Sequence, residues 1–159
     1  MKRLIKELIP YILIFIVVLM IRTFIFTPVR VNGDSMVDTL VDGDILILKK
    51  YDTSYERLDI VVLNDNYTSS IVIKRIIGLP GEEIEIENGA VYINKKKIDD
   101  IYNNYFLSNM ESIILEEDEY FVMGDNRAVS LDSRAFGPVK ESDMMGTVTF
   151  GIYPFGKIE

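Results

Sequence analysis

The chain contains neither cysteine nor histidine. Without cysteine it can form no disulfide, offer no thiolate nucleophile and bind no metal through sulfur, a composition compatible with export. Without histidine it lacks the usual general base of serine and cysteine hydrolases and the commonest zinc ligand. Acid–base chemistry near neutral pH therefore falls to Lys, Asp, Glu or Tyr.

Positive charge is also scarce beyond the N-terminus. The 159 residues carry a formal charge of −8. Residues 1–30 hold Lys2, Arg3, Lys6, Arg22 and Arg30 against Glu7 alone, a net of +4, which leaves −12 on the remainder. Phosphate recognition needs a basic footprint, so nucleic acid is not expected as a partner. One domain with its own core is expected at this length.

Hydrophobicity is concentrated at the start. Leu8 to Ile21 is an uncharged apolar run of 14 residues, and counting on to Pro28 makes 21. At about 1.5 Å per residue the longer stretch reaches roughly 31 Å, close to a bilayer core of about 30 Å. Arg22 can snorkel to the interface. Lys2, Arg3 and Lys6 place the N-terminus in the cytoplasm by the positive-inside rule. A removable signal peptide has a similar start, but Arg22-Thr23-Phe24-Ile25-Phe26 offers no small-x-small cleavage site. The expected organisation is a cytoplasmic 1–7, a retained single-pass anchor at 8–28 in the plasma membrane, and an extracytoplasmic domain at 29–159.

After the anchor the pattern changes to short β runs: Asp44 to Lys49, Leu58 to Leu63, Ser70 to Ile77, Glu83 to Glu87, Ala90 to Asn94, Glu119 to Met123 and Thr147 to Tyr153. Glycine- and proline-containing turns punctuate them. Strict alternation on both sides of Asn88-Gly89 predicts a hairpin with a type I′ turn and one wet face. Residues 95–118, with Lys95-Lys96-Lys97 and the acidic cluster from Glu116 to Glu119, read as a solvated excursion. No internal repeat or long low-complexity segment interrupts the chain.

Three stretches carry chemistry: Gly33-Asp34-Ser35-Met36, Ser70-Ile71-Val72-Ile73-Lys74-Arg75, and the run from Gly124 to Arg134. Alone, the first is an ordinary turn and Lys74 an ordinary strand lysine. The third holds oxygen donors in Asp125, Asn126, Ser130 and Asp132 but lacks the spacing and distal Glu of a calcium loop, so no metal is expected. Together they suggest a serine activated by a neutral lysine, Ser35 with Lys74. An ordinary lysine is neutral only about once in 2,500 molecules at pH 7. Burial can lower its pKa, and Ile71, Val72, Ile73, Ile76 and Ile77 supply apolar surroundings. Carboxylates beside the amine would do the reverse, so Asp34 and Asp38 are expected to point away from Lys74.

These stretches resemble type I signal peptidases of the short, single-anchor Gram-positive kind. Gly33-Asp34-Ser35-Met36 is similar to the family's serine box, Gly43-Asp44-Ile45 to the next, Lys74-Arg75-Ile76-Ile77-Gly78-Leu79-Pro80-Gly81 to the lysine box, and the run from Gly124 to Arg134 to the box that supports the site. The resemblance spans essentially the whole chain. It implies a mainly β protein, a transmembrane helix followed by an extracytoplasmic antiparallel sheet or barrel, with residues 82–119 as hairpin and inserted excursion. It also implies removal of signal peptides from exported preproteins through an acyl-enzyme, with no cofactor. Ser35 would attack, Lys74 act as base, and the Ser35 N–H, with position 33 beside it, bind the oxyanion. Ser130 would orient the lysine, while Asp132, Arg134, Asp125 and Arg127 would give polar support. Small side chains before the cut would meet Val72, Ile73 and Met36.

The chain departs from the family at Asp38, where proline is usual, and at the less polar Ala128-Val129. Two rivals stand beside this reading. One is a non-catalytic anchored β module that binds exported peptides with an impaired site, disfavoured by Ser35, Lys74 and Ser130 occurring together. The other is a different Ser-Lys hydrolase such as a self-cleaving repressor domain, disfavoured by the anchor and the acidity.

Overall fold

The computed structural model describes residues 2–37, 39–51, 54–67, 69–99, 102 and 107–158, the side chains of 2–6 excepted. A 23-residue helix, α1 (Lys2–Phe24), opens the chain. It is followed by β1 (Phe26–Arg30), β2 (Ile45–Lys49), β3 (Ile60–Asp65), β4 (Ser70–Gly78), β5 (Glu83–Glu87), β6 (Ala90–Ile93), β7 (Lys96–Lys97), β8 (Met110–Ile114) and β9 (Glu119–Met123). A single helical turn α2 (Ser133–Phe136), then β10 (Val139–Lys140), β11 (Met144–Tyr153) and β12 (Gly156–Lys157) complete it. The mainly β architecture expected from the sequence is the one observed.

None of the 18 residues from Glu7 to Phe24 is buried against the rest of the chain. An apolar helix left uncovered, with its backbone bonds satisfied internally, suits a bilayer. The helix stops at Phe24, before Pro28. Pro28 restricts Thr27 to extended backbone, the Thr27 hydroxyl turns back to donate to Arg22 O at 2.9 Å, and residues from Phe26 pair with β2 instead.

The larger sheet runs β1-β2-β11-β3-β4-β9-β10, with β12 on β11, and the smaller runs β7-β6-β5-β8. Neighbours in both are antiparallel. Ile60 to Leu63 of β3 is buried on both faces, which its unbroken aliphatic run foreshadows. Two cores flank the larger sheet, one around Met36, Leu46, Leu48 and Val62 and one around Val61, Ile76, Tyr120 and Val122. A third, around Ile77, Ile84, Val91 and Phe121, joins it to the smaller sheet.

All seven expected strands are present, with ends shifted by at most three residues. The Asn88-Gly89 turn has φ of 50° and 82°, as a type I′ hairpin requires. The solvated excursion is corrected in part: Met110 to Ile114 forms β8 on β5, and Leu115 behind it is buried. Only Met110 and Ile113 of that strand pack inward, beside exposed Glu111 and Ser112, so the apolar signal is thin.

Gly78 ends β4 where a Cβ would lie 2.7 Å from Ile84 Cδ1 and 2.9 Å from Phe121 Cβ. Gly78→Ala should therefore destabilise by about 1–3 kcal/mol through overpacking. A lowered thermal midpoint, with unchanged activity per folded molecule, is the expected outcome.

Candidate active site

Alternation along β4 turns adjacent Lys74 and Arg75 to opposite faces. Lys74 shares its face with Val72 and Ile76 and lies opposite Val61 of β3. Of the five apolar neighbours expected to bury it, only those two share its face, and Ile71 is exposed. Lys74 is nonetheless buried, and its Nζ donates to Ser130 Oγ at 3.1 Å. Burial pushes its pKa below the ordinary 10.5; Asp132, then Asp65, oppose that shift, Arg134 adds to it and Asp125 opposes it weakly. The shift favours the neutral amine, the form a base requires.

Ser35 lies on the turn between β1 and β2, and the loop 124–134 holds that turn. Ser35 O accepts from the Asn126 N–H at 3.0 Å, and Asn126 Nδ2 donates to Asp34 O at 3.1 Å. The same loop presents Ser130 to Lys74 four residues later. Asp132 fixes the loop's shape, accepting from the Gly124 N–H at 2.9 Å and from Arg134 Nε and Nη2 at 2.8 and 2.9 Å. Arg134 Nη2 also donates to Arg127 O at 2.8 Å, and Arg127 Nε to Gly124 O at 2.9 Å. A Cβ on Gly124 would come within 2.5 Å of both Ser130 Cβ and Ser35 O. Ser35 and Ser130 thus press on one glycine from two sides.

On the other face of β4, Arg75 makes a buried bidentate pair with Asp125, Nε to Oδ1 at 2.8 Å and Nη2 to Oδ2 at 2.7 Å. Its Nη1 donates to Leu58 O at 2.8 Å. Thr39, on the Ser35 turn, donates to Asp125 Oδ2 at 2.6 Å. Arg75, Thr39, Gly124 and Asn126 therefore position the site, while buried Asp65 acts on Lys74 through its charge; the sequence placed Arg75, Gly124 and Asn126 in the site's stretches without individual roles there, and did not point to Thr39 or Asp65. The usable signal lay at Arg75: a second cation inside a buried apolar run faces away from the first and needs a carboxylate of its own.

A cleft of about 90 Å³ opens beside Ser35, lined by Val29, Val31, Met36, Val72 and Ile73 among others. That is about three waters' share of liquid volume, room for a small side chain. The three expected substrate contacts, Val72, Ile73 and Met36, all line it. Strand edges border it too. β1 ends the sheet order, and β9 pairs with β4 only from Arg75 to Gly78, so residues 71–74 keep an unpaired edge among the described residues. Gly33, the other expected oxyanion position, gives its N–H to Asp42 Oδ1 at 2.8 Å. Asp34 is exposed and is not among the carboxylates acting on Lys74; Asp38 lies outside the described residues.

A buried amine of lowered pKa bonded to Ser130, a serine turn held by the same loop, and unpaired strand edges beside a shallow cleft equip a hydrolase for extended peptides without histidine. Comparison with known proteins agrees. Residues 2–153 match the family model described as signal peptidase, peptidase S26. The chain is 37% identical over 158 residues to signal peptidase I P of Bacillus subtilis subsp. natto, covering 90% of this chain and 85% of that one. It is 33% identical over 180 residues to signal peptidase IB of Staphylococcus aureus strain Mu50, covering 99% and 94%. Among solved structures, a signal peptidase I from Enterococcus faecalis V583 aligns with a TM-score of 0.55 and 32% identity, over 60% of this chain and 97% of that one. The chain belongs to the signal peptidase family, peptidase S26, and is a serine endopeptidase.

Proposed function

We propose that this chain removes signal peptides from exported preproteins, with Ser35 as nucleophile and Lys74 as general base. The observation that carries the reading is the buried Lys74 amine bonded to Ser130, on the same loop that holds Ser35. Ser35 Oγ attacks the scissile carbonyl as its proton passes to Lys74 Nζ. The Ser35 N–H, which no described residue engages, stabilises the oxyanion. The ammonium then gives its proton to the leaving amine, and the mature protein departs. Water, deprotonated by Lys74, attacks the ester; the signal peptide leaves as a carboxylate and Ser35 is restored.

The substrate enters as an added strand between β1 and residues 71–74, its small side chain in the cleft. Residues 1–7 lie in the cytoplasm, a single anchor crosses the membrane, and the domain from residue 29 works at the outer lipid surface, with 82–119 as its appended hairpin and excursion. Its partners are the preprotein and the bilayer, with neither nucleic acid nor metal required.

Detergent-solubilised protein incubated with a preprotein carrying an Ala-x-Ala site should yield one cut after the second alanine, read by mass spectrometry. Ser35→Ala should yield none. A serine variant that still cuts there overturns the assignment.

A further inference from the structure

We infer that Tyr102, in the segment between β7 and β8, is a positioning residue for the peptidase: its ring closes the Arg75–Asp125 clamp behind the Ser35 turn. The inference rests on the reading of Ser35 and Lys74 as the reacting pair. The ring centroid lies 4.2 Å from Arg75 Cζ, so an aromatic face covers a guanidinium whose edge is already spent on Asp125 and Leu58 O. Tyr102 lies in sequence between β7 and β8 of the smaller sheet, so this contact ties that connection to the back of the site.

Two cavities meet at that ring. One, of about 410 Å³, is lined by Tyr102 with Thr39 and Leu40; the other, of about 250 Å³, by Tyr102 with Arg57, Leu58 and Arg75. Without the ring the two openings join over the guanidinium, and water reaches the ion pair. A wetter surrounding weakens the attraction between Arg75 and Asp125, and an aromatic face over a desolvated cation is itself attractive.

Loss of that closure reaches the chemistry along a short route. Thr39 binds Asp125 from the turn that carries Ser35, and Asp125 stands between Gly124 and Asn126. A looser clamp lets Ser35 drift relative to Lys74 while Val72 and Ile73 of the cleft stay in place on β4. The turnover rate should fall and KM should not move.

The test uses the full-length enzyme in detergent, the Ala-x-Ala preprotein as substrate, and rates normalised to folded protein by circular dichroism. Tyr102→Leu should lower kcat about tenfold with KM within about twofold, whereas Tyr102→Phe, which keeps the ring, should stay within about twofold of the parent. Tyr102→Gln, similar in reach but without a ring, should match the leucine variant. In an Arg75→Lys background, Tyr102→Leu should cost less than about threefold, because the planar clamp it protects is gone. A phenylalanine variant as slow as leucine, a leucine variant equal to the parent or changed only in KM, or a full tenfold loss in the Arg75→Lys background would each overturn the inference. A parent enzyme that fails to cut at all would instead strike the Ser35–Lys74 reading.

Discussion

Lys74→Met is expected to lower kcat by about 10⁴-fold or more, and to make the protein more resistant to heat at pH 7. The rate falls because methionine has similar bulk and no proton acceptor, and no histidine exists to substitute. Ser35→Ala and the double variant should be no slower than Lys74→Met alone, since in the proposed mechanism the two residues act as one unit. The stability gain follows from linkage. Burial lowers the folded pKa of Lys74 below 10.5. Below that lowered value both states carry the proton, and the native state bears the full penalty of a buried ammonium. Between it and 10.5 the unfolded chain holds a proton that the native chain does not, so the parent gains stability as pH rises. The advantage of Lys74→Met in thermal midpoint should therefore be largest in acid and vanish as pH nears 10.5. For the same reason kcat/KM of the parent should climb with pH along a limb that lies below 10.5. A methionine variant less stable than the parent at pH 6, or a parent rate flat across that range, would contradict a desolvated base.

The same residue marks where sequence reading succeeded and where it stopped. Composition narrows the base to Lys, Asp, Glu or Tyr; Lys74 among them is proposed from its aliphatic run and from the resemblance around it. That it is buried was legible from the aliphatic run around it. Which neighbours bury it was not, since Ile71 and Ile73 are adjacent in sequence yet on the wrong face, and Val61 comes from another strand. Strand pairing at long range decides that, and a single sequence does not encode it visibly. The carboxylates tell a similar story. Asp34 drew attention through its nearness to Ser35, whereas those that act on Lys74 are Asp132, Asp65 and Asp125, 58, 9 and 51 residues away in sequence. Strands with an uninterrupted or strictly alternating pattern were found nearly to the residue. The weakest additions, such as two-residue β7, β10 and β12, are products of a neighbour's edge and have no pattern of their own.

Gly124→Ala is expected to reduce kcat by about 10²-fold or more while leaving KM nearly unchanged. The added Cβ would stand within 2.5 Å of Ser130 Cβ and of Ser35 O, closer than real contacts allow. Neither neighbour can yield without consequence. Movement of Ser130 breaks its bond to Lys74 Nζ, and movement of the Ser35 carbonyl breaks its bond from Asn126 and shifts the N–H that meets the oxyanion. The cleft residues Val72 and Ile73 lie on β4 and are untouched, so binding should largely survive. Gly78→Ala supplies the control, because it creates a comparable clash against Ile84 and Phe121 in the core of the smaller sheet. Both alanine variants should lose thermal stability by similar amounts, about 1–3 kcal/mol. Only Gly124→Ala should lose turnover per folded molecule. If the two behave alike in turnover, Gly124 serves packing alone; if they diverge as expected, the chain uses a missing side chain to set the distance between its nucleophile and the hydroxyl that aims its base.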